Sequence, residues 1–198
     1  MNASKHAEYW NRRRHSVYLR QVDTIVSAVG ARAGSLIDIG SKECEYINWF
    51  GWIPDRVSLD INKPYSGAGV RTVVADFLKW APDKRYDVAL CLQVLEHIDD
   101  AASFASKLYG LADHLVVSVP YKWKESNAGH VQDPISLSKF IAWFPSPPTW
   151  SSVVAEPLLT KNDRRIVAYF DTKMPDSQRF TAARSRGIDR MNKRSPIL

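Results

Sequence analysis

Hydrophobic positions along the chain follow two periods, and their alternation predicts strands joined by helices. Apolar and aromatic residues recur at three- and four-residue spacings across residues 8–29, which predicts an amphipathic helix. Short and nearly continuous apolar runs then predict five strands that are buried on both faces. These runs span residues 36–39, 56–60, 71–75, 86–92 and 114–120. Further helices are predicted over residues 43–50 and 100–112, so strands and helices alternate as in an α/β fold.

The pattern changes after the fifth run. A long loop over residues 121–134 precedes a short predicted helix at 136–144, and two last strands are predicted at 152–155 and 165–170 as an antiparallel edge pair. Beyond Thr172 no apolar period continues. The whole pattern predicts a three-layer α/β/α sandwich with one domain over residues 1–171. Within it, residues 1–34 form an N-terminal helical cap, and residues 172–198 are expected to form a basic, flexible tail.

Composition limits the class of protein. A chain of 198 residues with 45% hydrophobic content is long enough to bury one core. The two cysteines, Cys44 and Cys91, provide neither a disulfide framework nor a paired metal motif, and no His-Glu-x-x-His motif is present, so no metal site is predicted. No apolar run is long enough to span a bilayer and no signal region is recognisable. We therefore expect a cytoplasmic protein.

The net charge of +6 lies largely at the two ends of the chain. Three arginines occupy positions 12–14, and six more basic residues lie in the last twenty. Such ends are usually solvated tails, while attraction to the phosphates of a nucleic acid is the alternative interpretation. The charge alone therefore gives only weak support to a nucleic-acid partner.

Acidic side chains stand where the first two predicted strands end. Asp38 comes at the end of the first strand, just before Gly40, and Asp60 closes the second strand. Asp60 follows Asp38 by about 20 residues, the offset at which Rossmann-like folds place a carboxylate that accepts hydrogen bonds from a ribose. Because parallel strands end at one edge of a sheet, both carboxylates are expected at a single crevice. The pattern indicates an adenosine-containing ligand.

Over residues 35–144 the chain resembles the class I S-adenosylmethionine-dependent methyltransferases, of the small single-domain type. The resemblance is carried by Leu-Ile-Asp-Ile-Gly-Ser at 36–41, Leu-Asp at 59–60, Ala-Asp-Phe at 75–77 and, above all, Leu-Glu-His-Ile at 95–98 after the fourth strand. It implies an enzyme with a Rossmann-like, mostly parallel seven-stranded sheet whose C-terminal edge is antiparallel. The implied cofactor is S-adenosylmethionine.

The resemblance also implies a role for particular side chains. Asp38 would hold the methionine part of the cofactor, Asp60 the ribose hydroxyls and Asp76 the adenine amino group, while Gln93 would flank the sulfonium. The full implied set is Asp38, Gly40, Ser41, Asp60, Ile61, Asp76, Phe77, Leu92 and Gln93. The aromatic pair at positions 9 and 10 resembles the pair with which an N-terminal helix often covers the cofactor.

The chain departs from the family pattern in the loop after the first strand. Lys42 and Cys44 stand where relatives carry glycine, which permits positive φ and a close approach of the backbone to the ligand. A side chain at either position could crowd the cofactor. A catalytically silent, methyltransferase-like binding protein is therefore kept as an alternative.

Two histidines are candidates for catalysis, because a hydroxyl acceptor keeps its proton at neutral pH and needs a general base. His130 lies in the long loop after the fifth strand and is favoured, since loops of that length are usually functional. His97 follows the fourth strand and is as well suited to capping or packing as to catalysis. Glu96 and Asp133 stand behind the two histidines in the sequence.

The cysteines and tryptophans carry weaker signals. Cys91 within a strand is expected in the core, and Cys44 is interpreted as a packed thiol. Three tryptophans could stack on a ring-shaped acceptor, although large aromatic side chains are more often part of the packing. They are Trp123, Trp143 and Trp150.

The leading hypothesis is a methyltransferase that acts on a small molecule or glycan, at oxygen. An RNA methyltransferase is the second hypothesis, favoured only by the basic ends, because neither an appended RNA-binding module nor an Asn/Asp-Pro-Pro-Tyr motif is present. A nicotinamide dehydrogenase is disfavoured because Gly-x-Gly-x-x-Gly is missing after the first strand. A P-loop nucleotide hydrolase is excluded by the lack of its phosphate-binding loop.

Overall fold

The computed structural model describes residues 8, 11, 13, 15–123, 129–157, 163–175 and 178. Its α-helices are α1 (Val17–Val29), α2 (Ala101–Leu111) and α3 (Leu137–Ala142), and two short 3-10 helices span Glu45–Phe50 and Leu95–His97. The strands are β1 (Ser35–Ile39), β2 (Asp55–Asp60), β3 (Val70–Val74), β4 (Tyr86–Leu92), β5 (Ala112–Pro120), β6 (Trp150–Ala155) and β7 (Arg164–Asp171). No helix in this part of the chain combines the length and apolar character that crossing a bilayer requires.

The seven strands form one sheet in the order β3-β2-β1-β4-β5-β7-β6. Strands β1 to β5 pair in parallel, whereas β7 runs antiparallel to both β5 and β6. The predicted sandwich with an antiparallel C-terminal edge is therefore confirmed. The strand order reverses at β1, which lies between β2 and β4, and such a switch point opens a crevice at the carboxyl edge of the sheet.

Two apolar layers cover the faces of the sheet. Neighbouring residues of β1 belong to opposite layers. Leu36 is in the layer that contains Val22 and Val26 of α1, and Ile37 is in the layer that contains Phe104 of α2 and Phe140 of α3. The alternation along a strand that is buried throughout explains its continuous apolar sequence. Cys91 of β4 is fully buried, as predicted.

The predicted helix over residues 8–29 is wrong in its continuity. Residues 8, 11 and 13 are helical, but α1 begins only at Val17, because Ser16 is extended and its hydroxyl accepts the Leu19 N–H as an N-cap. The helix predicted over residues 43–50 is a 3-10 helix that starts at Glu45. Positive φ angles at Lys42 and Glu43 delay its start.

A buried carboxylate ties the start of α1 to the end of β6. Glu156 is buried and accepts the backbone N–H of Val17 at 3.0 Å, the N–H of Tyr18 at 2.8 Å and the hydroxyl of Ser16. These N–H groups belong to the first turn of the helix, which has no intrahelical acceptors for them. The negative charge also lies at the positive end of the helix dipole.

We expect Glu156→Ala to lower the free energy of unfolding by about 2–4 kcal/mol, because it leaves buried donors of the first turn without an acceptor. Chemical denaturation followed by circular dichroism measures the change. Glu156→Gln keeps one carbonyl oxygen as an acceptor, so its free energy of unfolding should lie between those of the alanine variant and the native protein. Equal stability of the alanine variant and the native protein would show that α1 is anchored in another way.

Candidate active site

Two adjoining cavities lie at the carboxyl edge of the sheet. The first cavity, of about 500 Å³, is lined by residues that follow β1, β4 and β5, and the second, of about 800 Å³, by residues that follow β1, β2, β3 and β4. The first contains Asp38, Gly40, Ser41, Leu92, Gln93, His97 and His130, and the second contains Gly40, Asp60, Ile61, Asp76, Phe77, Gln93 and His97. Every predicted site residue thus lines one cavity or both. The two cavities share Gly40, Lys42, Glu43, Gln93 and His97.

Asp38 is a buried carboxylate of the first cavity whose charge is poorly compensated. It is 2% exposed, and its Oδ2 has no hydrogen-bond partner among the described residues. Burial, followed by repulsion from Asp60, raises the pKa of Asp38 to about 8, and the nearby hydroxyl of Tyr46 lowers it by a smaller amount. That hydroxyl is itself buried and makes no hydrogen bond of good geometry. The arrangement suits a cationic hydrogen-bond donor placed between the two groups.

The loop after β1 keeps the backbone form of a glycine-rich turn without its glycines. Gly40 has a φ of 77°, and a Cβ there would come within 2.5 Å of the Val94 side chain. Lys42 has a φ of 43° and so retains the left-handed conformation that glycine adopts readily. Lys42 and Cys44 line the first cavity without filling it. Burial raises the pKa of the Cys44 thiol, and the repulsion from Asp38 adds to this effect, so Cys44 is a neutral packed thiol.

Asp60 already has several backbone partners. Its Oδ1 accepts the N–H groups of Asn62 and Lys63, both at 2.9 Å, and its Oδ2 accepts the N–H of Lys42 at 3.1 Å. A carboxylate offers about four acceptor positions, so one remains for a ligand hydroxyl. The carboxylate therefore faces the second cavity and also holds the loops after β1 and β2, which border that cavity.

Ser41 is engaged within the protein. Its hydroxyl is 2.7 Å from that of Ser58, and its backbone N–H, like that of Gly40, points to the carbonyl of Leu59. The predicted close approach of this backbone to a ligand must therefore use the Cα and carbonyl groups, because the N–H groups are occupied.

The far end of the second cavity is formed by the residues after β2 and β3. Asp76 accepts the Leu78 N–H at 3.0 Å through Oδ1, while its Oδ2 lies 3.4 Å from the exposed Lys79 ammonium. Phe77 is buried against Phe104, with ring centroids 4.6 Å apart. Ile61 is exposed at the rim. An apolar wall beside a carboxylate acceptor fits a flat heterocycle that carries an amino group.

Gln93 stands between the cavities in a fixed orientation. It has a φ of 58°, its Nε2 donates to the Ser118 hydroxyl at 3.1 Å, and its Oε1 accepts from Nε of Arg165 at 3.1 Å. The Arg165 guanidinium lies over the rings of Tyr18 and Trp123, 4.9 Å and 5.0 Å from their centroids. Sequence reasoning missed Arg165 and Tyr18, since only the pairing of β7 with β5 and the packing of α1 bring them to the site.

His97 and His130 meet in the first cavity, with ring centroids 4.7 Å apart. His130 Nδ1 lies 2.6 Å from Oδ2 of the buried Asp133, and His97 Nδ1 lies 2.7 Å from the carbonyl of Gly129. Both acceptors hold the proton on Nδ1, so Nε2 is the unprotonated nitrogen of each neutral ring. The predicted partnership of Asp133 with a histidine is thus present in the structure.

The three tryptophans have different environments. Trp123 lines the first cavity and is stacked on His130 at 5.9 Å. Trp143 packs against Phe140 in the apolar layer, and Trp150 is on β6 at the edge of the sheet. Of the three, Trp123 alone lines either cavity in the described part of the chain, so stacking on an acceptor is possible there only.

Glu96 completes a cluster that the sequence did not predict. It is 1% exposed, its Oε2 has no hydrogen-bond partner among residues that the structure describes, and burial raises its pKa to about 8. Glu96, His97 and His130 each offer one ligand atom within 4.8 Å of the others. Metal motifs of fixed spacing do not reveal this group, because Glu96 and His97 belong to the 3-10 helix after β4 and His130 to the loop after β5. The aromatic pair at 9 and 10 and nearly all of the basic tail lie outside the described residues.

The fold of this chain is similar to that of several solved structures, although its sequence is not close to any of them. No family model matches the chain, and no curated protein does. Among solved structures, the Burkholderia thailandensis 1,6-didemethyltoxoflavin-N1-methyltransferase, with S-adenosylhomocysteine bound, has a TM-score of 0.63 at 17% identity and covers 84% of each chain.

Two further structures share the fold. CalS10, an amino pentose methyltransferase from Micromonospora echinaspora with S-adenosylmethionine bound, has a TM-score of 0.56 at 13% identity over 85% of this chain and 97% of its own. The [4+2]-cyclase SpnF has the same TM-score at 9% identity over 75% of this chain and 78% of its own. The chain therefore has the fold of the class I S-adenosylmethionine-dependent methyltransferases, as its sequence predicted.

Proposed function

We propose that the protein is an S-adenosylmethionine-dependent methyltransferase that acts on a hydroxyl oxygen of a small molecule or glycan. The observation that carries this proposal is the buried carboxylate of Asp38, whose Oδ2 has no partner among the described residues, beside two cavities that share residues of the loops after β1 and β4. The methionine part of the donor would lie in the first cavity and the adenosine in the second. The sulfonium would then lie at their junction.

The charges of such a donor match those of the first cavity. Its ammonium group would lie against Asp38, whose ionised form is unfavourable in the free protein because no described group neutralises it. A cation at hydrogen-bond distance stabilises the ionised carboxylate, so binding would release the proton that Asp38 holds below about pH 8. The ribose would use the remaining acceptor position of Asp60, and Asp76 would accept from the adenine amino group.

The reaction is an in-line displacement at the methyl carbon. A bond forms between the acceptor oxygen and the methyl carbon while the carbon–sulfur bond breaks, and its electron pair remains on sulfur. The donor supplies the activated methyl group, so the protein contributes alignment and exclusion of water. The fixed side chain of Gln93 and the rings of Tyr18 and Trp123 around Arg165 provide rigid walls for this alignment.

The size and lining of the first cavity support a small acceptor. About 500 Å³ must hold both the methionine part of the donor and the reacting end of the acceptor. Trp123 offers an aromatic wall for a ring, and two proteins of the same fold act, according to their names, on 1,6-didemethyltoxoflavin and on an amino pentose.

The choice of oxygen rests on the histidines. A hydroxyl has to lose its proton as the methyl group arrives, whereas the lone pair of a neutral amine is already available. His97 and His130 present their free Nε2 atoms in the first cavity, and we assign to this pair the activation of the hydroxyl.

A donor-binding protein that does not transfer the methyl group is the second candidate, since SpnF has this fold and is a cyclase. Binding of the donor without turnover would support it. No described residue favours RNA as the acceptor, because the basic ends that suggested it lie mostly outside the described part of the chain.

The proposal predicts binding of S-adenosylhomocysteine, and not of NAD, in isothermal titration calorimetry. Asp38→Asn should weaken that binding about 100-fold, because an amide cannot neutralise the ammonium group of the ligand. Asp55→Asn, at the opposite edge of the sheet, is the control and should bind as the native protein does. Failure of the native protein to bind either adenosyl compound would refute the proposed function.

The same Asp38→Asn variant should be more stable than the native ligand-free protein. The pKa of Asp38 is raised from 3.8 to about 8 on folding, so the folded state holds an extra proton between these values, and stability falls as the pH rises towards 8. Asparagine does not titrate, so the difference in Tm should grow from pH 5 to pH 9 and reach about 5 °C. Scanning calorimetry checks this, and a difference independent of pH would contradict the buried charge. The exposed Asp99→Asn change is a suitable comparison.

His130→Ala should lower kcat by about 10²–10⁴-fold and leave the affinity for S-adenosylhomocysteine unchanged, because it removes an activating group and no donor contact. Release of S-adenosylhomocysteine is measured with the best acceptor from a panel of sugars and hydroxylated small molecules. His114→Ala is the matched control, since His114 lies on β5 and bonds to Tyr169. An unchanged kcat would remove His130 from the reaction.

A further inference from the structure

We propose that Glu96, His97 and His130 form a binding site for one divalent first-row transition-metal ion in the first cavity. The three side chains offer a carboxylate oxygen and two imidazole nitrogens within 4.8 Å of one another, and all three line that cavity. Two imidazoles and a carboxylate are a ligand set that suits zinc and other ions of that row. The site stands on this geometry and does not depend on the proposed methyl transfer.

The imidazoles are oriented as metal ligands usually are. His130 is held by Asp133 through Nδ1, and His97 by the carbonyl of Gly129 through Nδ1. Metal-binding histidines typically donate their second ring nitrogen to a carboxylate or backbone carbonyl, which fixes the tautomer and the direction of the ring. Here both rings have such a partner, and the Nε2 atoms remain for the ion.

The charges around the cluster call for a cation. Glu96 Oε2 and Asp133 Oδ1 are both buried and have no hydrogen-bond partner among the described residues. Arg165 is a nearby cation, but its Nε donates to Gln93, and no hydrogen bond joins it to Glu96. A buried carboxylate oxygen without a partner is costly, and a bound divalent ion would lower that cost.

The two loops that supply the ligands are held together before any ion binds. The Val131 N–H donates to the Glu96 carbonyl at 2.8 Å, and the Gln132 side chain donates to the carbonyls of Ile98 and Asp99 at 2.9 Å and 3.0 Å. These bonds fix the loop of His130 against the segment that carries Glu96 and His97. Metal–ligand bonds of about 2.1 Å require ligand atoms about 3–3.5 Å apart. Side-chain rotations that move the ligand atoms by about 1 Å would therefore bring them to coordination distance.

Three protein ligands leave coordination positions open towards the cavity. If the proposed function holds, the ion would bind the acceptor hydroxyl there and lower its pKa, so that its proton leaves to solvent and the oxygen attacks the methyl carbon. The pair of histidines would then activate the hydroxyl through the ion. This role deepens the proposed function and rests on it, whereas metal binding itself can be measured without donor or acceptor.

The test is a titration of the full, chelator-treated chain with Co²⁺ alone. Calorimetry measures the affinity and stoichiometry, and visible absorption reports the type of ligand. We expect one ion per chain and a spectrum without thiolate charge-transfer bands. Glu96→Gln and His130→Ala should each weaken binding at least 100-fold, and Asp133→Asn, which removes the partner of His130, about 10-fold. Mg²⁺, which prefers six oxygen ligands, should bind much more weakly.

Two variants outside the cluster serve as controls. His114→Ala and Cys44→Ser should bind Co²⁺ as the native chain does, since His114 lies outside the cavity and Cys44 is not a ligand of the proposed site. Glu96→Gln should also raise the Tm of the ion-free protein. That result would show that the variant folds and that the carboxylate does not stabilise the ion-free fold. No Co²⁺ binding, or binding unchanged in Glu96→Gln and His130→Ala, would overturn the proposal.

Metal binding and donor binding are measured independently. Co²⁺ binding by a chain that does not bind S-adenosylhomocysteine would leave the metal site standing and remove the methyltransferase function. Binding of the adenosyl compound without Co²⁺ would do the reverse.

Discussion

Parallel pairing of the first five strands is the constraint on which the rest of the molecule depends. It brings the carboxyl ends of β1, β2, β3, β4 and β5 to one edge, so that residues far apart in the chain converge on two cavities. Both faces of these strands must be covered, which accounts for the two apolar layers and the helices that provide them. The loops at the carboxyl edge add a few side chains to these layers, such as Phe77 and Leu95, and their polar residues face the cavities, where they can supply chemistry.

The same constraint makes charge at the strand ends expensive. Asp38 and Glu96 are both almost completely buried, both have a pKa raised to about 8, and each has a carboxylate oxygen without a partner. A fold gains nothing from such groups, since an apolar or amide side chain would be less costly there. Their presence is understandable if a cation arrives, an ammonium group at one and a metal ion at the other. On the two proposals made above, the two acids of this cavity would serve two different ligands of positive charge.

Hydrogen bonds hold the side chains and loops around these acids in fixed orientations. Gln93 is held by Ser118 and Arg165, His130 by Asp133, and the loop after β1 by the contacts of Asp60. Left-handed backbone at Lys42 and Gln93 is tolerated because these contacts over-determine the loops. The side chains that would touch donor and acceptor are therefore positioned before either binds, and alignment is the main contribution that a protein makes to methyl transfer.

Local patterns along the chain were enough to predict the fold class, the approximate bounds of the strands and the convergence of Asp38, Asp60 and Asp76, because both the apolar period and the acids at strand ends are local signals. They did not determine the break at Ser16, the anchoring of α1 by Glu156, or the place of Arg165, which depend on contacts between residues more than seventy positions apart. The sequence named Glu96, His97 and His130 as candidates but not as a metal-binding cluster, because only the contact between the segments after β4 and β5 brings the three side chains together. These features depend on the tertiary structure. The burial of a side chain, which shifts its pKa, and its distance from other side chains cannot be read from the order of residues along the chain.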